Sequence, residues 1–279
     1  GAGRAAAAGA FRALAYARKL CTSPAMVLDE GSGPSADAVA AAAASLGVKP
    51  TPAAVRAAVA KEPTRHAPKM AALTDLLAGC GIIQAGDGEG GGSGDGPDAG
   101  SGGHRALIFA QLRATLDLVE SSVLRPSGVP FLRLDGGVPA ADRFGVAAAF
   151  EADPTVPVLL LTTHVGGLGL NLTAADTVIF VEHDWNPMKD LQAMDRAHRL
   201  GQTRPVTVYR LLTRGTLEER VMSLQRFKVD VAGAVVNADN VSLTSMDASR
   251  LLDSLAAGGG ARGGAPGSSA SEPAGDAAA

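Results

Sequence analysis

From residue 104 onward, short apolar runs alternate with stretches whose apolar residues recur at helical spacing. That alternation is the pattern of successive strand and helix units building a parallel sheet. It predicts strands near Ala106 to Ala110, Phe131 to Leu134, Val156 to Thr162, Thr177 to Val181 and Val206 to Leu211, with helices at Leu112 to Ser122 and Ala140 to Glu151 between them. A further helix is expected over 187 to 200: Asn186 is placed to cap it, Pro187 suits its first turn and Gly201 its end. Another begins at Thr216, where Thr216 and Glu219 have the spacing of a capping box. Leu217, Val221, Leu224 and Val231 then share one face. Upstream, Phe11 to Leu20 and His66 to Ile83 read as helices separated by a variable Ala/Gly/Pro stretch from 31 to 62. The fold class expected is α/β, a parallel sheet flanked by helices with a helical N-terminal extension.

Composition narrows where the core can lie. Of 279 residues, 35 are glycine, and they cluster. Residues 84 to 103, and the tail from about 257, bury too little apolar surface to offset the entropy of ordering, so both are expected to be disordered. The domain reading is a partial helical extension and linker over 1 to 65, one domain over 66 to 236 interrupted by the insert at 84 to 103, and a tail over 237 to 279. A net charge of −3 decides nothing about nucleic acid, because a groove that follows a phosphate backbone needs only a local basic patch. Cys21 and Cys80, the only cysteines, lack metal-ligand spacing and suit thiols in a reducing compartment. His164, His183 and His198 are likewise scattered, so no metal site is expected. No apolar run approaches the ~20 residues of a membrane span, which leads to the expectation of a soluble intracellular protein. The first residue is Gly1 and not methionine, so a fragment or a truncated gene model is expected.

Two segments carry candidate chemistry. The first follows the third strand and reads Thr162-Thr163-His164-Val165-Gly166-Gly167-Leu168-Gly169-Leu170-Asn171. A glycine-rich loop at the carboxyl end of a parallel strand lets backbone N–H groups approach phosphate, although such a loop is also often only a tight turn. A dinucleotide fingerprint fails here, since Leu172 occupies the third glycine position and the loop leads into a strand, not a helix. The second segment carries Gln192, Asp195, Arg196, His198 and Arg199. On a helix, Gln192, Arg196 and Arg199 would form one stripe able to meet a triphosphate; equally, Asp195 could pair with Arg199 on an exposed face. Neither a GxxxxGK[ST] loop nor an acidic strand end suited to magnesium occurs in the sequence, and Asp29-Glu30 reads better as the start of a linker.

With these residues in view, Thr162 to Leu172 resembles motif V, and Gln192-Ala193-Met194-Asp195-Arg196-Ala197-His198-Arg199-Leu200-Gly201-Gln202 resembles motif VI, of the Swi/Snf branch of superfamily-two helicase-like ATPases. Arg105 to Gln111, Arg133-Leu134-Asp135-Gly136, Trp185-Asn186-Pro187 and Arg18-Lys19-Leu20-Cys21 agree with that branch. Phrases such as His66-Ala67-Pro68-Lys69 and Val181-Glu182-His183-Asp184 are similar to members that remove TATA-binding protein from promoter DNA. The resemblance implies the second, RecA-like lobe of a nuclear, ATP-driven translocase on double-stranded DNA. It implies arginine fingers at Arg196 and Arg199, and nucleotide contacts at Gln192, Gly169 and Asn171. ATP and Mg2+ would be held mainly by another lobe, so the isolated chain is expected not to hydrolyse ATP. It also implies contacts to the DNA backbone from Thr162, Thr163, Lys69 and Arg133, and a brace helix from Thr216. Trp185 reads as an anchor under the helix that follows it, with stacking on DNA or nucleotide as the alternative. Gly137 and Thr22-Ser23-Pro24 depart from the Ser and Asn-His-Pro that relatives often carry. The competing reading is a lobe-only module that binds protein or DNA without catalysis.

Overall fold

Three strands are buried along their whole length: β1 (Ala106–Ala110), β3 (Val158–Thr162) and β4 (Thr177–Phe180). A strand that hides both faces must have a layer packed on each, which is why its sequence is continuously apolar and not alternating. In this computed structural model, which describes residues 2–27, 36–61, 66–83, 103–166 and 169–234, those strands form the centre of a five-stranded sheet. β2 (Phe131–Leu134) and β5 (Thr207–Arg210) complete it in the order β2-β3-β1-β4-β5, and every pairing is parallel. The register sets Ala106 beside both Val158 and Thr177. The five predicted strands are all present, three of them one or two residues shorter than expected.

Successive side chains on β1 point to opposite faces. Ala106, Ile108 and Ala110 meet one core with Met70, Leu73 and Leu77 of α4 (Pro68–Gly79) and Leu116 and Val119 of α5 (Arg113–Val119). Leu107 and Phe109 meet the other with Phe150 of α6 (Arg143–Ala152) and Ala193 of α8 (Pro187–Met194). Phe109 stacks on Phe180 at 5.2 Å between ring centroids. Glu120–Leu124 extends α5 as a π-helical turn, closed by Arg125 N–H donating to the Glu120 carbonyl at 2.9 Å. After β3 the chain makes one helical turn, α7 (Thr163–Gly166), where a plain turn was expected. It then runs back to β4 while burying Leu170, Leu172 and Ala175 against the second core.

The chain divides into two units, Arg12–Asn237 and Gly1–Phe11 with Ala238–Ala279. Of the second, only residues 2–11 are described, within α1 (Ala2–Thr22). The stretch from 31 to 62, expected to be a variable linker, instead contains α2 (Ala36–Leu46) and α3 (Pro52–Lys61), whose Val39, Ala43, Val55 and Val59 form a small core of their own. Alanine is the strongest helix former, so a few valines at helical spacing are enough to pair two such helices. α9 (Leu217–Ala234) buries Leu217 and Val221 as its periodicity predicts; the side chain of Val231 lies outside the described residues. So do residues 84 to 102 of the insert and the tail from 235. No helix among the described residues is long and apolar enough to cross a membrane.

Candidate functional site

The helix expected over 187 to 200 starts where the sequence places it but stops early. Asn186 Oδ1 accepts from the Met188 N–H at 3.1 Å and Pro187 takes the first turn, yet α8 ends at Met194. Beyond it, Arg196 N–H donates to Ala193 O at 3.3 Å and Ala197 N–H to Met194 O at 3.0 Å, which are three-residue turns. The Arg196 carbonyl is taken by Leu172 N–H at 3.0 Å, so a tertiary bond replaces the helical one. Gln192, Arg196 and Arg199 are therefore not one helical stripe. Gln192 is on the last turn of α8, and the arginines lie on an irregular segment pinned to the loop after β3.

That pinning brings the two candidate segments together. Arg199 Nη1 donates to the Gly169 carbonyl at 3.3 Å, and a Cβ built on Gly169 would stand 3.9 Å from Arg196 Nη1. Space is thus not what demands glycine at 169; its φ of +78° is. Arg196 Nε is buried without a hydrogen-bond partner. Among the described residues Asp195 makes no ion pair with Arg199, so the alternative of a paired surface face is not realised. Gln192, Asn171 and Arg199 are exposed. Two guanidinium groups beside Gly169, one with an unmet buried donor, present a donor set of the kind that suits a phosphoryl group. Gly167 and Leu168 lie outside the described residues.

The four residues expected to touch DNA fare differently. Thr162 and Thr163 are buried at the end of β3. Lys69 is 3% exposed, with its ammonium donating to Val181 O at 2.6 Å and to the Glu218 carboxylate. It is a buried counter-ion in this structure, not a surface donor. Arg133 is ion-paired with Asp117 at 2.6 Å, Glu120 at 3.2 Å and Asp135 at 2.7 Å. Burial would raise the Asp135 carboxyl, but the Gly137 N–H and the Arg133 guanidinium outweigh it and hold the carboxyl below the usual range. At Gly137 a Cβ would come within 2.8 Å of the Arg113 guanidinium, the movable end of an exposed side chain, and 3.0 Å of Asp135 Oδ1.

Sequence reasoning missed a buried polar network at the same end of the sheet. Glu182, 2% exposed, accepts from the backbone N–H groups of Gln111 at 2.8 Å and Leu112 at 2.9 Å, and from the hydroxyls of Thr115 at 2.8 Å and Thr22 at 3.3 Å. It therefore fixes the entry to α5 and ties α1 to the strand ends. Arg18 reinforces the tie by donating to Gln111 Oε1 and to His183 O at 3.0 Å. From α9, Gln225 donates to the fully buried Asp190 carboxylate at 3.0 Å and to Asp184 O, and Lys228 reaches Trp185 O at 3.4 Å. Trp185 is half-buried. The capping box is displaced by one residue: Thr216 Oγ1 accepts from Glu218 N–H at 3.2 Å, and the Glu219 carboxylate accepts from Gly215 N–H at 3.1 Å. The signal in the sequence was the phrase Val181-Glu182-His183-Asp184, an acidic cluster at the end of an apolar strand.

Residues 99–201 match the helicase conserved C-terminal domain family. The crystal structure of the C-terminal part of the Fun30 ATPase domain superposes with a TM-score of 0.52 at 29% identity, covering 70% of this chain and 54% of that one. With the parallel sheet and the paired motif V and VI segments, these matches define the class: residues 99–201 are a helicase C-terminal domain, and the chain is similar to the C-terminal lobe of Swi/Snf-family ATPases. Within that family it is similar to the TATA-binding protein-associated factors. It is 50% identical over 245 residues to TATA-binding protein-associated factor 172 of Homo sapiens, covering 87% of this chain and 12% of that protein. It is 49% identical over 248 residues to TATA-binding protein-associated factor MOT1 of Saccharomyces cerevisiae, covering 87% of this chain and 13% of that protein. The chain thus spans about an eighth of the length of the curated relatives it matches.

Proposed function

We propose that this chain acts as the second lobe of an ATP-dependent translocase on double-stranded DNA, working in the nucleus to remodel protein–DNA complexes, with TATA-binding protein as the protein displaced. The observation that carries this reading is the meeting of Arg196 and Arg199 at Gly169, where Arg196 Nε is buried and lacks a partner. Arg196 and Arg199 supply positive charge where negative charge builds on a transferring γ-phosphoryl group. Gly169 turns the backbone to let them approach, and Gln192 and Asn171 offer exposed amides beside them. ATP with Mg2+ contributes the phosphoryl group and is held chiefly by a first lobe, which carries the phosphate cradle and magnesium ligands that this sequence does not contain. The choice of TATA-binding protein is supported by the names of the relatives.

DNA contact is assigned to Thr162, Thr163 and Arg133, of which Arg133 would exchange carboxylates for phosphates. Lys69 is left out because its charge neutralises Glu218.

The test is to join the chain to a matched first lobe and measure ATP hydrolysis with and without duplex DNA. DNA-stimulated turnover is expected, and Arg199→Ala should lower it by about 10³-fold. Full turnover in Arg199→Ala would remove the finger assignment. Joined lobes that bind duplex without hydrolysing ATP would favour the non-catalytic module.

A further inference from the structure

We infer that Gln202 is a positioning residue for the arginine segment, acting by fixing the distance between that segment and the loop that carries Gly169. Its Nε2 faces three backbone carbonyls, Thr173 at 3.0 Å, Ala175 at 2.8 Å and Ala197 at 3.2 Å, while its Oε1 accepts from Arg204 N–H at 2.9 Å. Two amide hydrogens serve three acceptors, so one is shared. The reverse orientation would set an oxygen against three carbonyls and an NH2 group against an N–H, so the network fixes the amide in one sense. One side chain thereby joins the run after Gly169, the segment between Arg196 and Arg199, and the approach to β5.

A structural reason makes this clamp necessary. Between Met194 and Gln202 the regular α-helix gives way to turns, with one four-residue bond left, His198 N–H to Met194 O at 3.2 Å, so regular helical bonding no longer sets the position of Arg199. Among the described residues, the Leu172 N–H bond to Arg196 O, at 3.0 Å, and the Gln202 amide tie this segment to the backbone that follows Gly169 and Asn171, and Arg199 Nη1 adds its own bond to Gly169 O at 3.3 Å. A side chain can meet a reacting group productively only if it is held to a fraction of an ångström. Arg199 is exposed and has one long bond, so its placement depends on the backbone beneath it. The consequence for catalysis rests on the arginine reading given above; the clamp itself does not.

The test uses the full chain without nucleotide, with amide hydrogen exchange as the readout. Gln202→Glu keeps the length but turns a carboxylate toward three carbonyls, and Gln202→Met keeps the volume without donors. In both, the Leu172 amide should exchange roughly tenfold faster or more, since its bond to Arg196 O loses its support. The Val181 amide, bonded to Phe109 O at 2.9 Å within the sheet, should be unchanged. Equal acceleration at both amides would mean that Gln202 serves general stability, and no acceleration at Leu172 would mean that it clamps nothing; either result overturns the inference. Should Gln202→Glu fail to fold, Gln202→Met decides alone.

In the joined-lobe ATPase, Gln202→Met should lower kcat with little change in KM, and should add nothing to the loss in Arg199→Ala. Additive losses would overturn positioning through Arg199. Absence of turnover in the unmutated ATPase would instead strike the arginine reading, leaving the exchange result to decide the clamp.

Discussion

Two polar regions of this lobe treat their charged groups in opposite ways, although the first also buries two other nitrogens, Gln111 Nε2 and His183 Nδ1, without a hydrogen-bond partner. Around Glu182, Lys69, Glu218 and Asp190 every carboxylate is buried and satisfied, by partners drawn from α1, α4, α5, β5 and α9. At Arg196 and Arg199 the reverse holds: one guanidinium is exposed with a single 3.3 Å bond, and the other buries an N–H with no partner. Burying an unmet donor costs free energy, and folding alone gives no reason to retain one. Among the charged groups, the contrast sets those that hold the fold apart from two arginines with donors to spare. It also shows that residue type is a poor guide, since Lys69 was expected on the functional side and lies on the other.

Breaking the satisfied region should have the largest effect on stability. Lys69→Met leaves Glu218 buried without its cation and should destabilise the chain by about 3–5 kcal/mol, measured by urea unfolding. A loss below ~1 kcal/mol would show that the pair is not buried in solution. Glu182→Gln is gentler. The Thr22 and Thr115 hydroxyls can turn to the new amide, but the charge that strengthened four bonds is gone, so about 1–2 kcal/mol should be lost in the same measurement. Arg199→Ala, at the other pole, should change unfolding by no more than ~0.5 kcal/mol, because an exposed side chain with one long bond contributes little to folding. A loss as large as that of Glu182→Gln would erase the distinction between the two regions.

How far the sequence anticipates this picture depends on how local the cause is. Strand positions were legible because burial on both faces writes itself as an unbroken apolar run, as at Leu107-Ile108-Phe109. The start of α8 was legible because Asn186 and Pro187 act within one turn. Its end was not, because the bond that diverts the Arg196 carbonyl comes from Leu172, outside the helix. The pairing of the arginines with Gly169 was legible only through resemblance. The role of Lys69 was hidden, since its partners Val181 and Glu218 stand 112 and 149 residues away. In the 31 to 62 stretch, alanine content obscured two helices whose packing rests on four small residues.

The left-handed turn at Gly169 makes a prediction in the language of sequence variation. Any other residue there strains the backbone, so a library of variants selected only for folding would leave position 169 nearly invariant. Two residues on, Asn171 is exposed, and the same selection should accept most amino acids. If selection for the activity of the intact motor narrows position 171 as well, that narrowing measures contact with a ligand, because the fold has no claim on it.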